Sequence, residues 1–236
     1  MAKIEDPIEF ELFKNAIFAI GDEMAVTICR TTYSGVLRDN MDFSTALADA
    51  NGKMVAQGLT LPGHLGSIPA ALAVVVERFA GDIHPGDMFI LNDPFDGGMH
   101  LPDIFIFQPL YHEGKRVAFA ATISHHSDVG GRVPGSNASD STEIYQEGLR
   151  IPPLKLFDQG KRNETMWSLI EKNVRIPIQV LGDLRAQLAA CHIAETQFAE
   201  LLERYGLEKV TLYMEEVIDY AERLTRAAIA ELPDGQ

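Results

Sequence analysis

The 236-residue sequence is poor in cysteine, poor in positive charge and free of long apolar runs. Its two cysteines, Cys29 and Cys191, stand far apart in stretches that read as helical, so buried reduced thiols are expected rather than a disulfide, which suits the cytoplasm. Lys and Arg total 20 against 34 Asp and Glu, a formal net charge of -14. That field opposes a phosphate backbone, and no Lys/Arg cluster interleaved with aromatics overrides it, so nucleic acid is not an expected partner. Glu5, Asp6, Glu9, Glu11 and Lys14 interrupt the apolar positions near the start, and no later stretch reaches ~18 uncharged apolar residues. Neither a secretion signal nor a membrane segment is expected. Also missing are GxSxG, GxGxxG, a P-loop and a convincing Cys/His pair, so neither a nucleophile constellation nor a nucleotide site is expected in this chain.

What is present suffices for a core: 46% of residues are hydrophobic. Asp6, Pro7 and Glu9 read as N-cap, N1 and N3 of a helix, and Ile8, Leu12, Ala16, Ala19, Ile20 and Met24 recur at helical spacing to about Tyr33. Two alternating runs around Asn51-Gly52 predict a type I′ hairpin over residues 43 to 57. Residues 67 to 80 read as a helix capped by Ser67, and "GDMFILND" as a short buried strand. "IFIFQPLY" and "RVAFAATIS", joined by "HEGK", predict a second antiparallel hairpin. From Asp128 to Lys161 a Gly-, Pro- and Ser-rich stretch reads as a long loop, a length uncommon unless functional. Asp183 as N-cap and Gly206 as C′ then bound one helix, with another directly behind it. The expected fold is α+β: antiparallel hairpins and a mixed sheet packed with a long N-terminal helix and a C-terminal αα-hairpin, as one domain over residues 1 to 236.

Chemistry concentrates in "NDPFDGGMHLPDIFIFQPLY", from Asn92 to Tyr111. A two-residue turn at Glu113-Gly114 places Asp103 opposite Ser124, whereas a three-residue loop places it opposite His125. Either way Asp103 meets "SHH", with opposed Cβ atoms about 5 Å apart, near enough to share one ion. His100, three residues before Asp103, reaches the same face only if the backbone is irregular, which Gly97, Gly98 and Pro102 favour. Two imidazoles and a carboxylate suit Zn, Mn or Fe(II) rather than calcium. A second carboxylate could come from Asp39, Asp42, Asp93, Asp96 or Asp128. His64 could face substrate or support the ligands. Arg132, Arg150 and Lys155 flank the long loop and could hold an anion, with ordinary surface pairing as the alternative. His84, His112 and His192 carry no expectation of function.

Taken in order, "NDPFDGGMHLPD", "SHHSDVGG", "PGS", "EGLRIPPLKL" and "DLRAQLAA" resemble the hydantoinase B family. These are B subunits of ATP-dependent N-methylhydantoinases, similar to the C-terminal half of 5-oxoprolinase and to acetone and acetophenone carboxylase subunits. The resemblance implies a hydrolase acting on the C–N bond of a cyclic amide (hydantoin, 5-oxoproline or a related lactam) within a hetero-oligomer. A hydantoinase A-like partner would use ATP to phosphorylate the amide oxygen, and this chain would complete the hydrolysis near a divalent Zn, Mn or Fe ion. Carried onto this sequence, the metal ligands fall on Asp42, His100, Asp103 and His125. His125 in that role requires a three-residue loop or a bulge near residue 114. His126 and Asp128 are then expected in proton transfer or in support of the ligands, and Gly130, Gly131, Ser136 and His64 at the substrate. Family B subunits are about twice this length, so a truncated or split chain is also expected. The alternatives are a subunit of an ATP-dependent ketone carboxylase and a non-catalytic assembly fragment.

Overall fold

The alternation of side chains along two central strands explains the layering of the protein, whose computed structural model describes residues 4–233. In β4 (Asp103–His112) and β5 (Lys115–His125), Ile104, Ile106, Ala118 and Ala120 point to one core, while Phe105, Phe107, Phe119, Ala121 and Ile123 point to another. A strand buried on both faces needs helices on both. The first core is closed by α1 (Pro7–Thr31), α6 (Pro177–Tyr205) and α7 (Leu207–Ala230). The second is closed by α4 (Ile68–Arg78) through Ile68, Ala71, Leu72 and Val75.

The remaining elements complete one seven-stranded sheet in the order β2-β1-β5-β4-β3-β6-β7. These are β1 (Phe43–Asp49), β2 (Met54–Gln57), β3 (Met88–Leu91), β6 (Leu154–Asp158) and β7 (Lys161–Arg162), with short helices α2 (Gly35–Arg38) and α3 (Pro62–Leu65) and the longer α5 (Glu164–Asn173). Every pairing is antiparallel, so the α+β class holds while the expected mixed sheet is replaced by a uniform one. The expected loop from Asp128 to Lys161 contains β6, which adds to the β3 edge. Its Gly-rich part is tied down by a Gly130–Gly148 bridge and by the Leu149 amide donating to Val129 O at 2.7 Å.

Asp6 caps α1 as expected, its Oδ1 accepting from the amides of Ile8 at 2.9 Å and Glu9 at 3.1 Å. The apolar stripe departs from the expected one in the first turns of the helix and meets it at Ile20 and Met24. Phe10, Phe13, Ile17, Ile20, Met24 and Ile28 are buried, whereas Ile8 and Leu12 are 74% and 52% exposed, because the two phenylalanines anchor the helix against Tyr205 and Tyr213. The first hairpin forms, but not as a type I′ turn: only Gly52 has positive φ (85°), and Asp49 Oδ1 organises the turn by accepting from the Asn51 and Lys53 amides. Ser67 precedes α4, yet its hydroxyl donates back to His64 O at 2.6 Å and caps nothing. Gly206 (φ 78°) joins α6 to α7, and α6 packs most extensively against α1.

Asp183 is not an N-cap. The helix begins upstream at Pro177, and Asp183 projects from its interior to receive the Tyr33 amide at 2.7 Å, the Ser34 amide at 3.1 Å and the Thr32 hydroxyl. It thereby holds the end of α1 onto α6. Both cysteines are free, and burial raises the Cys191 thiol to about 12. No described helix is long and apolar enough to cross a membrane.

The Asp183 contact generates a stability prediction. Asp183→Ala leaves two amides and a hydroxyl without their acceptor and lowers stability by roughly 2–4 kcal/mol, whereas Asp183→Asn, which keeps an acceptor oxygen, costs less. Urea unfolding of the two variants measures the difference, and equal losses would count against the acceptor role.

Candidate metal centre

The site sits where the C-terminal end of β5 meets the start of β4, on the face that α4 covers. Glu113 and Gly114 both have positive φ, 48° and 78°, forming a two-residue turn that pairs His112 with Lys115 and Tyr111 with Arg116. Continued without interruption, this register would set Asp103 opposite Ser124. Instead the register shifts between Tyr111 and Leu110, which pairs with Ala118, so Val117 is the extra residue of a bulge. Asp103 consequently faces His125. The bulge expected with His125 as a ligand is there, together with the two-residue turn.

A second local device brings in His100. The Asp103 amide donates to His100 O at 2.8 Å, closing a turn that puts both side chains on one side. Upstream, Asp93 Oδ1 accepts from the Phe95 amide at 3.0 Å, and Gly97 takes φ 91°. A Cβ at Gly97 would stand 2.9 Å from the Ala71 backbone, and one at Gly98 would stand 2.6 Å from Asn92 O, so both glycines are sterically required. Asn92 fixes the base of this loop, donating to Leu101 O and Leu149 O at 2.6 and 2.9 Å and accepting from the Ile151 amide at 2.6 Å.

The result is a carboxylate shared by two imidazoles. Asp103 Oδ1 lies 2.9 Å from His125 Nδ1, and Oδ2 lies 3.2 Å from His100 Nδ1. One ligand atom from each of the three residues lies within 4.8 Å of the others, and the two rings stack with centroids 5.2 Å apart. His100 Nε2 donates to Asn137 Oδ1 at 2.9 Å, which leaves Nδ1 as the ring nitrogen turned to the cluster. Burial alone would raise the Asp103 pKa, but hydrogen bonds from His100 and His125, with their charge, hold it far below the usual carboxylate range. The hydrogen bond to Asp103 raises His100 in turn, against the effect of burial.

His64 and Asp42 border this cluster. His64 Nε2 lies 3.5 Å from Asp42 Oδ1 and 3.9 Å from Asp103 Oδ1, and its Nδ1 lies 3.4 Å from Ser44 Oγ. Burial pushes His64 below the ordinary imidazole value despite the pull of Asp103 and Asp42. Asp42 is placed by its backbone: its carbonyl accepts the His125 amide at 2.9 Å, next to Met41, a non-glycine residue held at φ 53°.

Several candidates lie elsewhere. His126 is fully buried on the opposite face of the sheet with Nε2 3.0 Å from Gln187 Oε1, because successive residues of a strand alternate sides. Asp128 does not face the cluster either; it receives the Arg175 amide and guanidinium, both at 2.6 Å. Ser136 Oγ accepts from the Val129 amide at 3.0 Å and the Gly131 amide at 3.2 Å, so the Gly131 amide is committed within the loop. Gly130 is a packing glycine, where a Cβ would meet Asn173 O at 2.0 Å. Of the spare carboxylates, Asp39 pairs with Arg38 and Asp93 with Arg150, while Asp96 belongs to the Pro94–Asp96 turn. Arg132 pairs with Asp140 and Lys155 with Asp82, Asp87 and Asp158, the ordinary pairing alternative. Asn137, Arg175 and Gln187 were not singled out in the sequence. The first two lie in irregular segments, and Gln187 is legible only as the polar member of a buried helix face.

Comparison with known proteins identifies the family. A family profile described as Hydantoinase B/oxoprolinase matches residues 6–236. The caprolactamase subunit beta of Pseudomonas jessenii is 38% identical over 230 residues, covering 98% of this chain and 40% of that protein. The 5-oxoprolinase of Dictyostelium discoideum is 34% identical over 96% of this chain and 18% of its own length. Among solved structures, the ATP-dependent caprolactamase from Pseudomonas jessenii superposes with a TM-score of 0.92 at 37% identity, over 99% of this chain and 40% of that one. A nucleotide-free acetone carboxylase gives a TM-score of 0.86 at 21% identity, over 90% of this chain and 28% of that one, a likeness of fold. The chain thus spans about two fifths of the caprolactamase subunit it matches.

The shared carboxylate predicts a pH window for metal-free protein. A depressed Asp103 pKa adds stability that is present above the unfolded carboxyl value, about 4, and lost as pH falls through the lower folded value. A raised His100 pKa adds stability that is present below the unfolded imidazole value, about 6.5, and lost as pH rises through the higher folded value. The melting-temperature gap between wild type and Asp103→Asn is therefore widest between about pH 4 and 6.5 and narrows toward pH 9. A gap that stays constant from pH 5 to 9 would contradict this coupling.

Proposed function

Because the chain belongs to the hydantoinase B/oxoprolinase family, we propose that it is the metal-containing B-type part of an ATP-dependent hydrolase of cyclic amides such as a hydantoin, 5-oxoproline or a related lactam. The carrying observation is the convergence of His100, Asp103 and His125 at one sheet end, bordered by Asp42 and His64. This donor set fits a divalent Zn, Mn or Fe ion: two neutral imidazoles and the two carboxylates of Asp42 and Asp103 would balance its charge. Such an ion, when bound, supplies Lewis acidity and lowers the pKa of water.

The chain's own residues prepare that chemistry. Asp103, buried and ionised, aims both imidazoles, and Asn137, by keeping a proton on His100 Nε2, leaves Nδ1 as the nitrogen that would give up its proton to hold an ion. His64, kept neutral by burial, lies between Asp42 and Asp103, where it can contact substrate or position a proton. We assign ATP to a hydantoinase A-like partner that phosphorylates the amide oxygen and so creates a leaving group. Water then adds to the activated carbon, the tetrahedral intermediate expels the ring nitrogen as the amine and so opens the C–N bond, and a second water hydrolyses the acyl phosphate left behind to carboxylate and inorganic phosphate. His126 and Asp128 take no part in these steps: they hold the loop and the strand end in place. A cytoplasmic location is consistent with two free cysteines.

The carboxylase alternative has only the likeness of fold behind it, and the assembly alternative leaves the ligand convergence without a purpose. Chain purified with its partner is expected to carry about one equivalent of a divalent transition metal, falling below ~0.2 in His100→Ala and His125→Ala, with ATP-dependent lactam opening lost in parallel. Full metal content in both variants would overturn the ligand assignment. Bicarbonate-dependent ketone consumption in place of amide opening would transfer the chain to the carboxylase alternative.

A further inference from the structure

On the face of the sheet opposite the candidate metal centre, a polar stripe runs through an otherwise apolar interface. Asp183, Gln187 and Cys191 are spaced one turn apart on α6, and they stand against Thr122 and His126, two residues on one face of β5 and its continuation. Gln187 is the member that bonds to the sheet side at three points. Its Nε2 donates to Ile104 O at 2.9 Å and to Thr122 Oγ1 at 3.2 Å, and its Oε1 lies 3.0 Å from His126 Nε2. The amide oxygen can only accept, so His126 carries its proton on Nε2. Gln187, Thr122 and His126 are all fully buried.

Two of these contacts fall on residues adjacent to expected ligands. Ile104 follows Asp103, and His126 follows His125. A single side chain of α6 therefore ties together, from behind, the two strand segments whose front faces carry the shared carboxylate and one of its imidazoles. A polar residue in a helix–sheet core is disfavoured against Leu unless fully bonded, and Gln187 is fully bonded. The bulge at Val117 sets which residues face each other; Gln187 restrains how they are aimed.

We propose that Gln187 is a positioning residue for the metal centre, acting through His126 and the Ile104 carbonyl on His125 and Asp103. This rests on the metal reading above. Partners of this kind typically change metal affinity about 10- to 100-fold.

The test uses the full chain and Co(II) as a spectroscopic probe. Gln187→Met keeps length, volume and helix preference while removing all three hydrogen bonds, and His126→Phe cuts one arm of the same bridge. Affinity is read by competition with a chromogenic chelator, geometry by the visible absorption bands of bound Co(II), and folding by circular dichroism of the metal-free variants. The expected result is folded protein with Co(II) affinity about 10- to 100-fold weaker in Gln187→Met, shifted bands, and a smaller change of the same sign in His126→Phe. A folded Gln187→Met with wild-type affinity and bands overturns the positioning role and leaves the metal reading intact. If Gln187→Met does not fold, His126→Phe decides by the same readouts. If neither folds, the bridge serves folding rather than aim, and the proposal falls. Wild-type chain that binds no Co(II) overturns the metal reading itself, and this inference with it.

Discussion

One extra residue in β5 determines what the rest of the site can be. Val117 is unpaired in a hairpin whose turn is otherwise the tight two-residue kind, and beyond it every pairing between β4 and β5 is moved by one position. A one-residue slip exchanges the faces of a strand, so a ladder without the bulge would bring Ser124 to Asp103 and turn His125 to the other side. Pro109 stands beside this irregularity, past the segment Phe105–Phe107 that pairs with β3. A proline there costs no hydrogen bond to that neighbour. Bulges that re-aim a side chain recur next to functional sites, and here the distance from bulge to site is nearly the whole hairpin.

The site is consequently built from rigid parts. Asp103 begins a strand buried on both faces, His125 ends another, and Asp42 stands at the entrance to a third whose neighbour is β5. His100 comes from a loop, and that loop is pinned by Asn92, by two sterically required glycines and by the Asn137 contact. Such pre-organisation lets a buried carboxylate remain ionised where burial alone would neutralise it. Of the three clustered side chains His100 is the most exposed, at 35% against 18% for His125 and 5% for Asp103.

Much of this was legible in the sequence because it depends on short-range rules. Asp6-Pro7 announces a helix start, Gly206 a helix end, and two apolar runs around a tight turn announce the central hairpin. The convergence of His100, Asp103 and His125 follows from that hairpin, although spacing alone left Ser124 and His125 as competing partners of Asp103. What could not be read depends on contacts across the chain. The role of Asp183 as an acceptor for the Thr32–Ser34 turn, the capture of Asp128 by Arg175 and the burial of His126 against Gln187 each join segments far apart in sequence. The resemblance puts Gly130, Gly131 and Ser136 at the substrate, but Ser136 already occupies the Gly131 amide. The first turns of α1 depend on such contacts as well: Ile20 and Met24 are buried as expected, but Ile8 and Leu12 are as apolar as Phe10 and Phe13, and Tyr205 and Tyr213 decide which of them turn inward.

We propose that the shifted register makes a divalent-cation site of His100, Asp103 and His125. Anomalous diffraction from crystals of the chain grown with zinc or manganese tests it most directly. The account predicts a single strong peak within bonding distance of all three side chains, with Asp103 opposite His125. A peak elsewhere with these residues free of metal, or a straight ladder that pairs Asp103 with Ser124, would contradict it.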